Sequence, residues 1–221
     1  MFESSKRSWR GKRRSESESD RPAAVPFDAP FAPAAFQVEH AEDGTVDVQL
    51  VEATPADAAV WAETWQPSLA AHGRPSATWP WAEHIARAVT TPGWLCLAIR
   101  RGNNLDALMS LRLGRHESQL APGADFVYIE YVGVAPIHQA PPLGRRLICG
   151  LGRTLVIVAL AVSRTCGADG RVGLHSKPEV EAFYRRLGFE ELGLDVTEDG
   201  TWRYFEMPPA RAMLLLRRIG G

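Results

Sequence analysis

The sequence has few cysteines and no long apolar segment. Its three cysteines, Cys96, Cys149 and Cys166, are far apart, odd in number and without clustered histidines, which argues against a disulfide framework or a zinc site. The longest uninterrupted apolar run, residues 155–162, is far shorter than the roughly 20 residues that span a bilayer. The sequence therefore predicts a protein of a reducing, cytoplasmic compartment, with no metal and no membrane association.

An excess of charge is also absent. The chain has 25 Lys and Arg against 26 Asp and Glu in 221 residues, of which 45% are hydrophobic. This composition is typical of a globular domain and gives no overall field that attracts nucleic acid or an anionic membrane. The length fits one domain with a tail, and any recognition must be local.

The first 45 residues lack helical or strand periodicity, being a mixed-charge stretch followed by a Pro- and Ala-rich segment. We therefore predict a disordered tail at residues 1–45 and a folded domain at residues 46–221. A second interpretation, weakened by interleaved acids, is a basic arm that binds nucleic acid or a partner. That arm would consist of Lys6, Arg7, Arg10, Lys12, Arg13 and Arg14.

From Thr45 onwards the pattern alternates between strands and helices. It predicts a strand at residues 46–53 and then two helices, the first of which has Thr54 or Asp57 as its N-cap. A hairpin and an aromatic strand follow. A long apolar helix follows, and the rest alternates again. The predicted bounds are helices at 57–71, 79–90, 147–164, 178–187 and from 209, with strands at 94–101, 107–113, 126–136, 171–176, 190–196 and 201–207. This order predicts an α/β (α+β) fold with a mixed sheet.

A pair of glycines, Gly150 and Gly152, stands in the predicted start of the long helix. A helix N-terminus exposes unpaired N–H groups and attracts anions, and glycine lets a phosphate approach closely. Alternatively, the glycines only let the helix pack tightly on the sheet. Two nucleotide motifs fail. A Rossmann fingerprint needs a third glycine where Leu155 stands, and a P-loop needs Gly-Lys followed by Ser or Thr, whereas the sequence has Gly152-Arg153-Thr154 without the preceding spacing.

The residues around these glycines resemble the GNAT acyltransferase superfamily. The matching motifs are Val134-Ala135-Pro136, Gly150-Leu151-Gly152, and Phe183-Tyr184 with Gly188-Phe189, over about residues 46–207. The likeness is greatest to a bacterial subgroup with Ile-Glu-Tyr before Val-Ala-Pro and Gly-Leu-His-Ser before the Phe-Tyr helix. The resemblance implies a GNAT-like acyl-CoA N-acyltransferase fold, with a mostly antiparallel sheet splayed at its middle and flanked by helices.

The resemblance further implies that the chain transfers an acetyl group from acetyl-CoA directly to a primary amine of a small molecule or protein, as a monomer or homodimer. Backbone N–H groups of the Gly-x-Gly segment would bind the pyrophosphate of CoA, and the splayed strand would pair with pantetheine through a β-bulge at Gly133. The implied CoA-binding residues are Val132, Gly133, Val134, Ile148, Cys149, Gly150, Leu151, Gly152 and Arg153.

Two positions depart from the family pattern. Leu147 stands where the family has Arg or Gln, after a lengthened loop at residues 137–144. Either Arg145 and Arg146 substitute as charge-assisted phosphate donors, or CoA affinity is lower. Lys177 stands where the family often has Asn, so His175 and Ser176 are the nearby polar candidates for contacting CoA.

Two residues are candidates for proton transfer. Glu130 is the candidate general base, directly or through water, unless it only pairs with an arginine. Tyr184 resembles the family tyrosine that protonates the departing thiolate, unless it is only a core tyrosine. A covalent role for Cys149 is not supported, because no histidine and acid are visibly paired with it.

Four tryptophans on the early helices either border the acceptor cleft or belong to the core. They are Trp61, Trp65, Trp79 and Trp81. Two other functions stay open: a catalytically silent GNAT-like module that binds CoA or a partner, and an adaptor that uses the basic tail.

Overall fold

The fold is built on one eight-stranded sheet in which only one neighbouring pair is parallel. The computed structural model describes residues 33–197 and 200–217. The strand order is β1-β2-β3-β4-β5-β6-β8-β7, and the parallel pair is β5 with β6. The strands are β1 (Ala34–His40), β2 (Gly44–Glu52), β3 (Trp94–Arg101), β4 (Asn104–Glu117), β5 (Asp125–Val134), β6 (Val172–Ser176), β7 (Glu190–Thr197) and β8 (Gly200–Met207). The predicted mixed, mostly antiparallel sheet is therefore confirmed.

Helices cover both faces of this sheet. The helices are α1 (Pro55–Val60), which continues through a π-helical turn (Trp61–Trp65) into α2 (Gln66–Ala71), then α3 (Trp81–Thr90), α4 (Leu151–Thr165), α5 (Glu181–Leu187) and α6 (Pro209–Arg217). The first three bury an apolar cluster against one face, and the last three bury a larger cluster against the other. No helix in the described parts of the chain is long and apolar enough to cross a membrane.

Helix α1 begins at Pro55, two residues before the predicted start, and Thr54, one of the two predicted caps, is its N-cap. Thr54 and Asp57 form a capping box in which the Asp57 carboxylate accepts the Thr54 N–H at 2.6 Å. Arg100 on β3 donates from Nε to the other Asp57 oxygen at 2.8 Å. The cap therefore also joins the helix to the sheet.

The folded domain starts earlier than predicted. Strand β1 pairs with β2 along its whole length, from Ala34 opposite Leu50 to His40 opposite Gly44. The prediction of a disordered tail is therefore wrong for residues 34–45, which form a hairpin that extends the sheet. The basic arm and the rest of the predicted tail, residues 1–32, lie outside the described residues.

Helix α4 starts later than predicted, at Leu151 and not at Leu147. Gly150, its N-cap, has a φ of 86°, a left-handed conformation that interrupts the helix at that point. The preceding residues pair with the new hairpin, since the Leu147 carbonyl accepts the Ala41 N–H at 2.7 Å and Ile148 bridges to His40. The β1–β2 hairpin therefore braces the segment before the helix.

A buried carboxylate holds the loop after β4 onto the sheet. Glu206 on β8 accepts hydrogen bonds from the Ser118 hydroxyl at 2.7 Å, the Gln119 and Leu120 N–H groups at 2.6 and 3.1 Å, and the Tyr204 hydroxyl at 2.5 Å. Only 3% of Glu206 is exposed. Burial, and next the charge of Glu206, raise the pKa of Tyr204, so its hydroxyl remains a donor.

We expect Glu206→Gln to lower the free energy of unfolding by about 3 kcal/mol, because an amide nitrogen cannot accept the hydrogen bonds of buried donors. Urea denaturation measures the loss. Glu190→Gln, at an exposed acid on the neighbouring strand, is the control and should change stability by less than about 0.5 kcal/mol. A Glu206→Gln variant as stable as the control would contradict this account.

Candidate active site

The sheet opens between β5 and β6. These strands pair only at residues 127–129 of β5 and 172–174 of β6, while β5 stays on β4 up to Val134 and β6 stays on β8 up to Ser176. Beyond Ile129 the opening extends for about 16 Å, at the usual rise per strand residue. The splay predicted for the middle of the sheet is therefore confirmed.

A β-bulge lies at the closed end of this opening. Ser110 is opposite Tyr131 and Leu111 is opposite Ile129, which leaves Glu130 as the extra residue of β5. The predicted bulge at Gly133 is wrong, because Gly133 pairs with Leu108 in regular register. A Cβ at Gly133 would lie 3.2 Å from Cζ2 of Trp81, so this glycine lets a core indole approach the strand.

The wide end of the opening meets the start of α4. A cavity of about 310 Å³ lies there, lined by Val134, His138, Gln139, Arg146 and residues 148–152. The N–H groups of the first turn of α4, Leu151 to Arg153, have no intrahelical acceptor, as in any helix. No side chain caps this helix in their place. A Cβ at Gly150 would have no atom within 4 Å, and one at Gly152 would contact only Phe183, at 3.7 Å. The structure thus brings the Gly-x-Gly segment and Val134 to one cavity, as the sequence predicts.

The predicted polar donors beside this cavity differ in their placement. The Ile148 N–H donates to Nδ1 of buried His138 at 3.2 Å, so it is engaged within the protein. Arg145 pairs with Glu42 at 3.3 Å at an exposed position, whereas Arg146 lines the cavity. Cys149 is exposed at the cavity wall. Of the two arginines, Arg146 is therefore the one at this cavity.

A buried pair that the sequence did not indicate supports the loop before α4. His138 Nε2 lies 2.8 Å from Oδ1 of Asp106, and both side chains are buried. Because Nδ1 accepts the Ile148 N–H, Nε2 carries the proton and donates it to the carboxylate. Arg101 Nε lies 3.4 Å from the other oxygen. The hydrogen bond between His138 and Asp106 anchors the lengthened loop at residues 137–144 to the start of β4.

Tyr184 lies on the α4–α6 side of the opening. It belongs to the same apolar cluster as Ile129 and Leu174, the last paired residues of β5 and β6, and Val132 packs against that cluster. Burial raises the pKa of Tyr184 to about 12, so its hydroxyl keeps its proton. Ser176 is also buried, and its hydroxyl donates to the Lys177 carbonyl at 3.0 Å.

Glu130 forms an ion pair. Arg112 on β4 donates from Nη1 to its Oε1 at 2.8 Å, and the same guanidinium lies over the Trp94 ring, 5.1 Å from the centroid. This ion pair corresponds to the alternative interpretation of the sequence, in which Glu130 pairs with an arginine and is not a general base. The structure places the residue at the opening but engages its carboxylate in this pair.

The tryptophans divide between core and cleft. Trp61, Trp65 and Trp81 are 6%, 4% and 1% exposed and belong to the core on the α1–α3 face. Trp79 is half-buried and packs on Tyr131 with ring centroids 4.9 Å apart. Trp79 therefore borders the opening on the α1–α3 side.

A lysine lies between two tryptophan rings on this same side. Lys177 Nζ lies 5.2 Å from the ring centroid of Trp79 and 5.4 Å from that of Trp202 on β8. This aromatic wall is formed by Trp79, Tyr131, Lys177 and Trp202. It lies on the face of the sheet opposite Tyr184.

Comparison with known proteins defines the fold. No family model matches the sequence, and no curated protein matches it either. The GNAT domain of S. lividans PAT is 18% identical, with a TM-score of 0.51 over 78% of this chain and 96% of that domain. The chain has the GNAT fold.

Two further solved structures have the same architecture. FeeM, an N-acyl amino acid synthase from uncultured soil microbes, is 10% identical, with a TM-score of 0.52 over 83% of this chain and 94% of its own. An uncharacterized protein from Bacillus halodurans is 9% identical, with a TM-score of 0.54 over 83% and 95% of the two chains. The fold predicted from the short motifs is therefore confirmed.

A neutral histidine supports the α1–α3 side of the opening. His84 on α3 is buried, with Nδ1 3.0 Å from the Ser110 hydroxyl oxygen and its ring 4.7 Å from that of Tyr131. Burial, and next the charges of Arg87 and Arg112, lower the pKa of His84 from 6.5 to about 4. The folded protein therefore disfavours the imidazolium.

We expect the stability contributed by neutral His84 to be complete above about pH 6.5 and to be lost as the pH falls towards 4, because the unfolded chain binds the extra proton in that interval. Urea midpoints measured between about pH 4 and pH 7 should fall less steeply in His84→Gln. His72→Gln, at an exposed histidine, is the control and should keep the wild-type slope. The same slope in His84→Gln would show that His84 is not the group responsible.

Proposed function

We propose that the chain is an N-acetyltransferase that transfers an acetyl group from acetyl-CoA to a primary amine of a small molecule or protein. Transfer is direct, within a ternary complex. One observation carries the proposal: Val134, at the open end of β5, and Gly150, at the uncapped N-terminus of α4, line one cavity. A helix start attracts the pyrophosphate, and the strand opening receives the arm that carries the thioester.

The residues at the start of α4 fit such a cosubstrate. Gly150 leaves open space where any other residue would place a Cβ, and the first-turn N–H groups line the same cavity as Arg146. We assign the pyrophosphate to the N–H groups of Gly150, Leu151, Gly152 and Arg153, with Arg146 as the charged donor in place of Leu147. Bound acetyl-CoA supplies the thioester that is the electrophile.

The unpaired edge of β5 and the buried tyrosine would act at the thioester end. Because β5 parts from β6, its edge at Val132, Gly133 and Val134 lies open, and main-chain groups there would pair with pantetheine and polarise the acetyl carbonyl. The Val134 carbonyl already accepts a hydrogen bond from Nε2 of Gln139 at 2.8 Å. The amine nitrogen bonds to the carbonyl carbon while the carbon–sulfur bond breaks. Tyr184 gives its hydroxyl proton to the sulfur, which is consistent with a pKa raised to about 12.

Fold and motifs support N-acylation in particular. FeeM is an N-acyl amino acid synthase, and the PAT neighbour is a GNAT domain. The Ile-Glu-Tyr and Gly-Leu-His-Ser stretches around Glu130 and His175 resemble those of the bacterial GNAT subgroup. We further propose a cytoplasmic enzyme that is a monomer or homodimer.

The second candidate is a module that binds CoA without catalysis. The observation that favours it is the Glu130–Arg112 ion pair at 2.8 Å, which occupies the carboxylate predicted to be the general base. Such a module would bind CoA and release no thiol with any amine.

Thiol release from acetyl-CoA in the presence of a primary amine panel distinguishes the two candidates. We expect the wild type to turn over, and Tyr184→Phe to lower turnover by about 10²–10⁴ with little change in CoA affinity, because only the proton donor is lost. Calorimetry gives the affinity. Phe183→Leu, which keeps an apolar side chain beside it, controls for core packing. An unchanged rate in Tyr184→Phe would remove this residue from the mechanism.

A pair of isosteric variants tests the pyrophosphate site. We expect Gly150→Asp to weaken CoA binding at least about tenfold relative to Gly150→Asn, because the two differ only by a negative charge placed where the phosphates would lie. Both side chains tolerate a left-handed backbone better than others, and a Cβ at this position meets no atom. Equal CoA affinities by calorimetry would show that the phosphates bind elsewhere.

A further inference from the structure

Three side chains form a hydrogen-bonded chain across the sheet beside the opening. The Tyr128 hydroxyl on β5 lies 2.7 Å from Nδ1 of His175 on β6, and His175 Nε2 lies 3.0 Å from Oδ2 of Asp195 on β7. The His175 and Asp195 side chains are only 10% and 12% exposed. The chain therefore joins three strands away from bulk water.

The chemistry of the groups fixes the direction of this chain. A carboxylate only accepts, so His175 Nε2 carries the proton that is donated to Asp195. Nδ1 then has a lone pair and accepts the hydroxyl proton of Tyr128. Burial, and next the charge of Glu130, raise the pKa of Tyr128, so the phenol is protonated and is the donor. The order is Tyr128 to His175 to Asp195.

The chain stands where the strands separate. Ile129 and Leu174 are the last paired residues of β5 and β6, and the opening begins beyond them. Tyr128 comes directly before Ile129, and His175 comes directly after Leu174. Side chains alternate along strands, so Tyr128 and His175 face away from the cluster that contains Tyr184. They therefore lie on the side of the aromatic wall, from which the acceptor would enter.

The other charged and titratable groups around the chain are engaged elsewhere. Glu130 and Arg112 pair with each other, and both act on the pKa of Tyr128. Tyr204, whose ring lies 4.9 Å from that of His175, donates its hydroxyl to Glu206. His84, a buried histidine on this side, has its Nδ1 3.0 Å from the Ser110 hydroxyl. A proton acceptor on this side of the opening is therefore best sought in the Tyr128–His175–Asp195 chain.

We propose that Tyr128 is a catalytic residue that takes the proton of the acceptor amine while it passes its own proton to Nδ1 of His175. Asp195 is a positioning residue that holds His175 in the required tautomer and stabilises the imidazolium that forms. This inference rests on the proposed acetyltransferase function. The nitrogen of a neutral amine loses one proton to Tyr128 and the sulfur gains one from Tyr184, which leaves His175 as an imidazolium and Tyr184 as a phenolate. After the products leave, His175 releases one proton to water and Tyr184 takes one up, so the protein returns to its starting state.

The tautomer of His175 provides a test that does not depend on turnover. Nitrogen–proton correlation spectra of the histidine side chains, assigned with His175→Gln, should show the proton on Nε2 in the wild type. In Asp195→Asn the amide can donate to Nε2, and we expect the proton to move to Nδ1. A wild-type His175 protonated on Nδ1 would overturn the proposed proton relay from the amine through Tyr128 to His175, because Tyr128 could not then donate to Nδ1.

Kinetics provides the second test. The assay measures thiol release from acetyl-CoA with spermidine, tryptamine or a short peptide as the amine, and water is an acceptor that is always present. We expect Tyr128→Phe to lower the rate of thiol release by about 10²–10⁴. Asp195→Asn should lower it at least about tenfold. CoA affinity should stay within about twofold in both. Tyr204→Phe, which removes a buried hydroxyl of the same sheet face outside the chain, should keep the wild-type rate.

The outcomes separate the relay from the function on which it rests. A Tyr128→Phe variant with wild-type turnover would overturn the relay and leave the acetyltransferase function intact. A wild type that binds CoA but releases no thiol with any of these acceptors would overturn the function, and the relay with it. Equal losses in Tyr128→Phe and Tyr204→Phe would assign the effect to packing and overturn the relay alone.

Discussion

The early end of pairing between β5 and β6 is the constraint on which the rest of the structure depends. Buried backbone groups need partners, yet the facing edges of these strands separate after three residue pairs. The bulge at Glu130 accommodates this separation by turning β5 while it stays on β4. The edges that part here need hydrogen-bond partners other than each other, and an extended ligand with amide groups is one kind of molecule that can supply them.

The opening also joins two faces with different chemistry. Tyr184 lies within the apolar cluster under α4 and α5, where burial keeps its proton in place. On the other face, the Tyr128–His175–Asp195 chain forms hydrogen bonds across three strands. The two groups that we propose as proton donor and proton acceptor thus belong to opposite faces of the sheet at this opening.

Local patterns in the sequence predicted most of the fold, and contacts distant in sequence account for the errors. Alternation placed nearly every strand, but β1 was missed because its Pro- and Ala-rich neighbourhood hides a pairing with β2. The bulge was misplaced because the extra residue depends on the register between β4 and β5. The site pairs were equally hidden, since His138 is 32 residues from Asp106 and Tyr128 is 47 from His175. Only the strand order brings these residues together.

The same reasoning explains the unusual Leu147. Its side chain is buried and its carbonyl accepts a hydrogen bond from the β1–β2 hairpin, so an arginine there would place an unpaired charge in the interior. The residue directly before Leu147 in the sequence, Arg146, carries a positive charge. Arg146 has a φ of 56°, uncommon for a residue other than glycine, and it lines the cavity at the start of α4. Such a backbone conformation is often found at binding sites, and here it occurs at a residue of the cavity wall while the neighbouring Leu147 side chain is buried.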